Sequence, residues 1–205
     1  MSKWITVATD GSCRATMGAG PMGWAWAADD GRWASNGFWT GTNQRAELWG
    51  LLSVLISFPD DKLHLQMDSE YALKTASEWA PRWAAKGWRI KGDRRPVNLD
   101  LIRPIYDLVS QRTEPIEWEW VKGHAGHRLN AIADQRATEA SALAKSIIEG
   151  TEEDNERASL TLFRDSKGRT ANPFQNAMMV DVISGNTAPT FAPEPVDNDL
   201  FAGIF

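Results

Sequence analysis

The sequence predicts an α/β fold in which a sheet opens as an antiparallel meander and continues through strand–helix crossovers. Three observations predict it. The N-terminal stretch holds three apolar or aromatic runs joined by hairpin-length connections. After it, stretches of helical periodicity alternate with runs of strand length. Two of the strands end in an aspartate, and in open sheets with helical crossovers sites gather beyond the strands' carboxyl ends.

Trp4-Ile5-Thr6-Val7-Ala8-Thr9 reads as a buried strand that runs into Asp10-Gly11-Ser12-Cys13, a charge at the point where the chain turns. Trp24-Ala25-Trp26-Ala27 and the aromatic run 32–39 follow. Asp29-Asp30-Gly31 joins them, and its Asp-Gly pair favours a tight hairpin. Thr42 or Asn43 can cap a helix whose apolar positions are Leu48, Leu51, Leu52, Leu55 and Phe58, with Pro59 after its end. Leu63-His64-Leu65-Gln66-Met67 is a fourth strand ending at Asp68, and Asp68 or Ser69 caps a short helix. Residues 98–112 form a further helix with Leu99, Ile102, Ile105, Tyr106 and Val109 inward. Ile116-Glu117-Trp118-Glu119-Trp120-Val121 alternates as a fifth strand and leads into the Gly-rich loop Lys122-Gly123-His124-Ala125-Gly126-His127. The final core helix spans about residues 128–145, with Asp134 on the flank of its apolar face.

The chain has 205 residues, 42% of them apolar, enough for one domain and some surplus. It contains no apolar run long enough to span a bilayer, and the first strand starts at once, without a signal peptide. A lone cysteine makes no internal disulfide, in keeping with a reducing cytoplasm. A net charge of −5 argues on its face against a nucleic-acid partner. The distribution reverses that argument. Residues 150–205 hold nine acids against four bases, so residues 1–149 are neutral. Within these, residues 79–95 carry six bases against one acid, interleaved with Trp79, Trp83 and Trp88. Trp offers a flat face to bases or sugars and Lys or Arg neutralises phosphate. A helix with its Trp in the core and its bases solvated explains the same composition equally well.

Four acids, Asp10, Glu47, Asp68 and Asp134, stand in similarly marked places. Two of them have an ordinary explanation: for Glu47 a salt bridge with a neighbour such as Arg45 or a solvated edge, and for Asp68 a plain helix cap. Brought together, they would repel and require protons or cations. All-oxygen ligation suits Mg²⁺, with Mn²⁺ as a substitute, and no Cys/His set for zinc is visible. Two such ions can activate a water and stabilise the leaving oxygen of an in-line displacement. His124, flanked by glycine, can move protons near neutral pH.

Five segments follow one another in order: Asp10-Gly11-Ser12-Cys13, Thr42-Asn43-Gln44-Arg45-Ala46-Glu47-Leu48, Asp68-Ser69-Glu70-Tyr71, the run Trp118 to His127, and Asn130 to Asp134. Together with Trp79…Trp83…Lys86-Gly87-Trp88, they resemble bacterial ribonuclease H of type 1 over about residues 3–145. The resemblance implies a ribonuclease H-like fold: a mixed five-stranded sheet, three strands antiparallel and two parallel, with helices on both faces. It implies metal-dependent endonucleolytic hydrolysis of the RNA strand of RNA–DNA hybrids, leaving 5′-phosphate and 3′-hydroxyl ends, in the removal of R-loops and primers. It makes Asp10, Glu47, Asp68 and Asp134 ligands of two Mg²⁺ ions and gives His124 a part in proton transfer or product release. Cys13, Asn43 and Gln44 would lie along the RNA strand, and Thr42 and Trp79 along the DNA strand. The basic protrusion with Trp83, Lys86, Trp88 and Arg89 would grip the DNA phosphates.

Two departures stand out. The loop Arg14-Ala15-Thr16-Met17-Gly18 lacks the family's Asn, and Glu70 stands where relatives carry Gln. A non-catalytic hybrid-binding module would be expected to lose one of the acids. A DNA resolvase or transposase core would not be expected to carry the Trp-rich protrusion. The domains expected are a catalytic unit over 1–146 and an acidic, Pro-containing extension over 147–205. In that extension Ser159-Leu160-Thr161-Leu162-Phe163 and Asp199-Leu200-Phe201 look like the Leu-Phe peptides that enter the bacterial sliding clamp; a plain solubilising tail is the alternative. The expected state is a cytoplasmic monomer.

Overall fold

Alternation along the strands sets the architecture. In the computed structural model, which describes residues 3–15, 18–148 and 163–168, β1 (Trp4–Cys13) has Val7, Ala8 and Thr9 buried in succession, as a central strand covered on both faces must. β2 (Gly20–Ala28) and β3 (Trp33–Gly41) complete an antiparallel meander with it, turning at Gly31, whose φ of +88° suits glycine. Then come α1 (Asn43–Ser57), β4 (Lys62–Met67), α2 (Glu70–Lys74), a π-helical turn (Thr75–Trp79), α3 (Ala80–Ala84), α4 (Leu99–Gln111), β5 (Ile116–Trp120) and α5 (Arg128–Ile148). β4 pairs parallel to β1, and β5 parallel to β4.

Among the described residues the sheet runs β5-β4-β1-β2-β3-β6, six strands rather than the five expected. The addition, β6 (Arg164–Asp165), lies antiparallel to Ala34 and Ser35 at the start of β3. Two residues are too short a run to show any period in a sequence. Phe163, just before it, is buried and meets Trp24 with ring centroids 6.5 Å apart. The remainder of the two Leu-Phe islands lies outside the described residues.

Helices cover both faces. On one, Trp26 Nε1 donates to Ser53 Oγ of α1 at 2.8 Å, and Leu48, Leu51, Leu52 and Leu55 are buried with Leu63, Leu65 and Met67 of β4. On the other, Gly23 lies against the backbone of Ala137 and Ser141, so that no β-carbon would fit between β2 and α5. No helix among the described residues is long and apolar enough to cross a membrane.

Because β1, β3, β4 and β5 all run in one direction, their carboxyl ends open at the same end of the sheet.

Candidate active site

Four elements deliver acids to that end. Asp10 lies on β1 and Asp68 one residue past β4. Thr42 caps α1, its Oγ1 accepting from the Arg45 amide at 3.3 Å, and the helix then presents Glu47. Ser69, rather than Asp68, caps α2, which leaves the Asp68 carboxylate free of that duty. Carboxylate oxygens of Asp10, Glu47 and Asp68 lie within 4.8 Å of one another. Asp134 of α5 stands outside this trio but lines the same open cleft of about 330 Å³, with Asn43, Ser69 and His124. His124 Nδ1 lies 3.6 Å from Asp134 Oδ2, on a backbone of φ +55°, and its ring is almost wholly exposed.

The electrostatics are those of a cation trap. Burial, then the charges of Asp68 and Asp134, push the Asp10 carboxyl up to about 8, against a smaller opposing effect of the Gly11 N–H. Burial and the charges of Asp10 and Asp68 raise Glu47 well above the carboxylate range. Asn43 Nδ2 donates to Glu47 Oε1 at 3.4 Å, while Oε2 is buried with no hydrogen-bond partner. The salt bridge to Arg45 considered for Glu47 does not form. Arg45 instead makes a two-pronged pair with Asp100, at 3.0 and 2.6 Å. An orphaned buried carboxylate oxygen beside two further carboxylates, with oxygen the only donor type, fits a hard divalent cation.

Sequence reasoning assigned no role to Asn130. It is buried, donates to Asp68 Oδ2 at 3.4 Å and leaves its own Oδ1 without a partner. Its signal was present: Asn130 precedes Asp134 by one helical turn and shares its face. Trp120 Nε1 likewise holds the Asp68 carbonyl, at 3.0 Å.

Of the other expected residues, Asn43 lines the cleft, and Cys13, Thr42, Gln44, Trp79, Trp83, Lys86, Trp88 and Arg89 do not. Half-buried Cys13 donates its thiol to the Gly41 carbonyl at 3.2 Å, tying β1 to the end of β3; Asn43 is exposed and Gln44 half-buried. Both explanations of the Trp-rich stretch hold in part. Trp83 and Trp88 pack against the core, Trp88 edge-on to Tyr106 at 5.4 Å, while Lys86 and Arg89 are exposed. Trp79 is half-buried between Tyr71 and Trp83.

Comparison with known proteins gives the same picture. The RNase H family model matches residues 2–142. A ribonuclease H of Tropheryma whipplei (strain Twist) is 38% identical over 140 residues, which cover 67% of this chain and 84% of that protein. Among solved structures, LC9-RNase H1, a type 1 RNase H with the type 2 active-site motif, superposes with a TM-score of 0.62 at 21% identity, covering 95% of this chain and 93% of that one. A foamy viral protease-reverse transcriptase in complex with an RNA/DNA hybrid gives a TM-score of 0.59 at 17% identity, over 67% of this chain and 20% of that one. The two structures share the fold, and the matched sequence goes further: the chain belongs to the ribonuclease H family, enzymes that hydrolyse the RNA strand of RNA–DNA hybrids.

Proposed function

We propose that the cleft cuts the RNA strand of a hybrid duplex with the help of two divalent cations, Mg²⁺ or in substitution Mn²⁺, leaving 5′-phosphate and 3′-hydroxyl ends. Asp10, Glu47, Asp68 and Asp134 hold the ions, which when bound supply Lewis acidity and a water nucleophile near neutral pH. The observation that carries this reading is the trio of buried Asp10 and Glu47 with half-buried Asp68, their oxygens within 4.8 Å of one another and Glu47 Oε2 unpartnered.

The chain's own residues do the rest. Asn43 and Asn130 orient Glu47 and Asp68 by amide hydrogen bonds. His124, exposed at the mouth and near Asp134, carries a proton toward the leaving 3′-oxygen and then swings clear as product departs. Cys13, Asn43 and Gln44 line the RNA side, where a 2′-hydroxyl distinguishes RNA from DNA. Thr42 and Trp79 face the DNA strand. The arm bearing Trp83, Lys86, Trp88 and Arg89 holds its phosphates, since exposed Lys and Arg beside anchored indoles make a rigid cationic surface. Removal of R-loops and primers is the cellular work this activity fits.

The test is incubation with labelled RNA–DNA hybrid, double-stranded RNA and double-stranded DNA in Mg²⁺. Only the RNA strand of the hybrid is expected to be cut, into products carrying a 5′-phosphate, and Asp10→Asn is expected to stop cutting while leaving the fold intact. Cleavage of duplex DNA, or an Asp10→Asn enzyme near the parent rate, overturns the reading.

A further inference from the structure

The Trp-rich arm leaves the fold at one place and returns at another, and one side chain ties both to the helix that carries Glu47. The arm follows α2, the π-helical turn and α3, and it rejoins the body at Asn98, the residue before α4. Asn98 adopts a left-handed backbone, φ 61° and ψ 26°, an uncommon conformation for a non-glycine residue. Its carbonyl accepts from the amides of Leu101 and Ile102, so it is fixed to the first turn of α4. Its side-chain Nδ2 donates to the hydroxyl of Tyr71 at 3.2 Å. Tyr71 stands at the start of α2, where the excursion begins, and its ring meets Trp79 edge-on at 6.2 Å. Trp79 in turn meets Trp83 at 5.9 Å. The two ends of the arm are therefore joined at its base.

Arg45 fastens this base to α1. Its Nη1 donates to Asn98 Oδ1 at 3.2 Å and to Asp100 Oδ1 at 3.0 Å, and its Nη2 to Asp100 Oδ2 at 2.6 Å. A guanidinium on a carboxylate in this parallel, two-pronged form fixes orientation as well as distance. Arg45 lies two residues before Glu47 and two after Asn43, both of which line the cleft. It lines no part of the cleft itself.

We infer that Arg45 is a positioning residue for substrate: through Asp100, Asn98 and Tyr71 it sets the spacing between the cleavage cleft and the arm, so that both meet one hybrid duplex in register. The inference rests on the proposal that the arm binds the hybrid. Arg45 acts on affinity for the duplex and leaves the metal site and the bond-breaking step alone. The pair with Asp100 is half exposed, so removing it spares the fold.

The experiment is steady-state kinetics on a hybrid long enough to span cleft and arm, for the parent, Arg45→Met, Arg45→Lys, Asp100→Asn and the double variant Arg45→Met/Asp100→Asn, with a Mg²⁺ titration for each. Arg45→Met is expected to raise KM about tenfold with kcat within about twofold and an unchanged Mg²⁺ midpoint. Arg45→Lys, which keeps the charge and loses the fork, is expected to fall between. The double variant is expected to be no worse than the worse single one, because both remove one link. An unchanged KM overturns the inference. So does a fall in kcat or a shifted Mg²⁺ midpoint at parent KM, which assigns Arg45 to Glu47 instead. Lys86→Ala/Arg89→Ala serves as control. If it leaves KM unaltered, the arm reading itself fails; if it raises KM while Arg45→Met does not, only the role of Arg45 fails.

Discussion

Gly11 lies so close beneath α1 that a β-carbon on it would stand 2.6 Å from the Glu47 amide nitrogen and 2.8 Å from the Ala46 carbonyl carbon. These are backbone atoms and cannot swing aside. The glycine after Asp10 is thus what lets the first turns of α1 settle on the end of β1, bringing Glu47 to Asp10. Gly11→Ala is expected to push α1 outward and part the two carboxylates. The cost in stability is about 1–3 kcal/mol, the usual range for overpacking. Activity is expected to fall about 100-fold at fixed Mg²⁺, with a weaker Mg²⁺ midpoint. Thermal unfolding and a metal titration of the same variant check both.

The trio also makes the cation-free protein sensitive to pH. Asp10 has an ordinary carboxyl pKa when unfolded and one of about 8 when folded, raised by burial and by Asp68 and Asp134. A raised folded pKa means that the folded state penalises the charged form. The stabilising share is full below the unfolded pKa and is lost as pH rises through about 8. Without divalent cations, the difference in Tm between Asp10→Asn and parent is expected to be small at pH 5 and to grow in favour of the variant toward pH 8.5. Millimolar Mg²⁺ is expected to shrink it. A difference independent of pH overturns this account of the cleft. Reading the variant against parent cancels the pH dependence common to both proteins.

Much of this cleft is legible in the sequence because its acids stand in locally marked places, although β1 does not turn at Asp10 as expected but stays paired to β2 through Cys13. Asp10 and Asp68 stand where apolar runs stop, and Glu47 follows a Thr cap at fixed spacing; those signals are local. What is not legible depends on contacts across the chain. Glu47 borders the apolar stripe of α1, but nothing nearby says that its partner is Asn43 while Arg45 reaches to Asp100, 55 residues on. Asn130 is readable as a face-mate of Asp134, yet its bond to Asp68 depends on how deeply α5 sinks at Gly23. The sixth strand is two residues long, and Phe163 is buried only because the open edge of β3 is beside it.

His124 has few constraints of its own. Its ring is exposed, its backbone has positive φ, and Asp134 is near without a hydrogen bond. A proton carrier placed this way contributes to the rate and little to binding. His124→Ala is expected to lower kcat about 100-fold with KM close to parent, and to leave Tm unchanged because no packing is lost. A fall in Tm, or a change confined to KM, argues against the assigned role.

Phe163 carries the last prediction. It belongs to the stretch that resembles a partner-binding Leu-Phe peptide, yet in the fold its ring is buried on Trp24 and the chain continues into β6, with the Ser166 amide donating to the Trp33 carbonyl at 3.0 Å. While β6 is docked, this phenylalanine is not available to another protein. Losing its ring opens a cavity beside Trp24 and frees an edge strand, so Phe163→Ala is expected to destabilise the fold by about 3 kcal/mol. β6 pairs with the start of β3, away from the strand ends that carry the acids, so kcat and KM on a short hybrid are expected to stay at parent values below the melting range. Denaturant unfolding monitored by tryptophan fluorescence, alongside the cleavage assay, checks both. Stability equal to parent means that the strand is not docked in solution and that the stretch around Phe163 is open to partners after all.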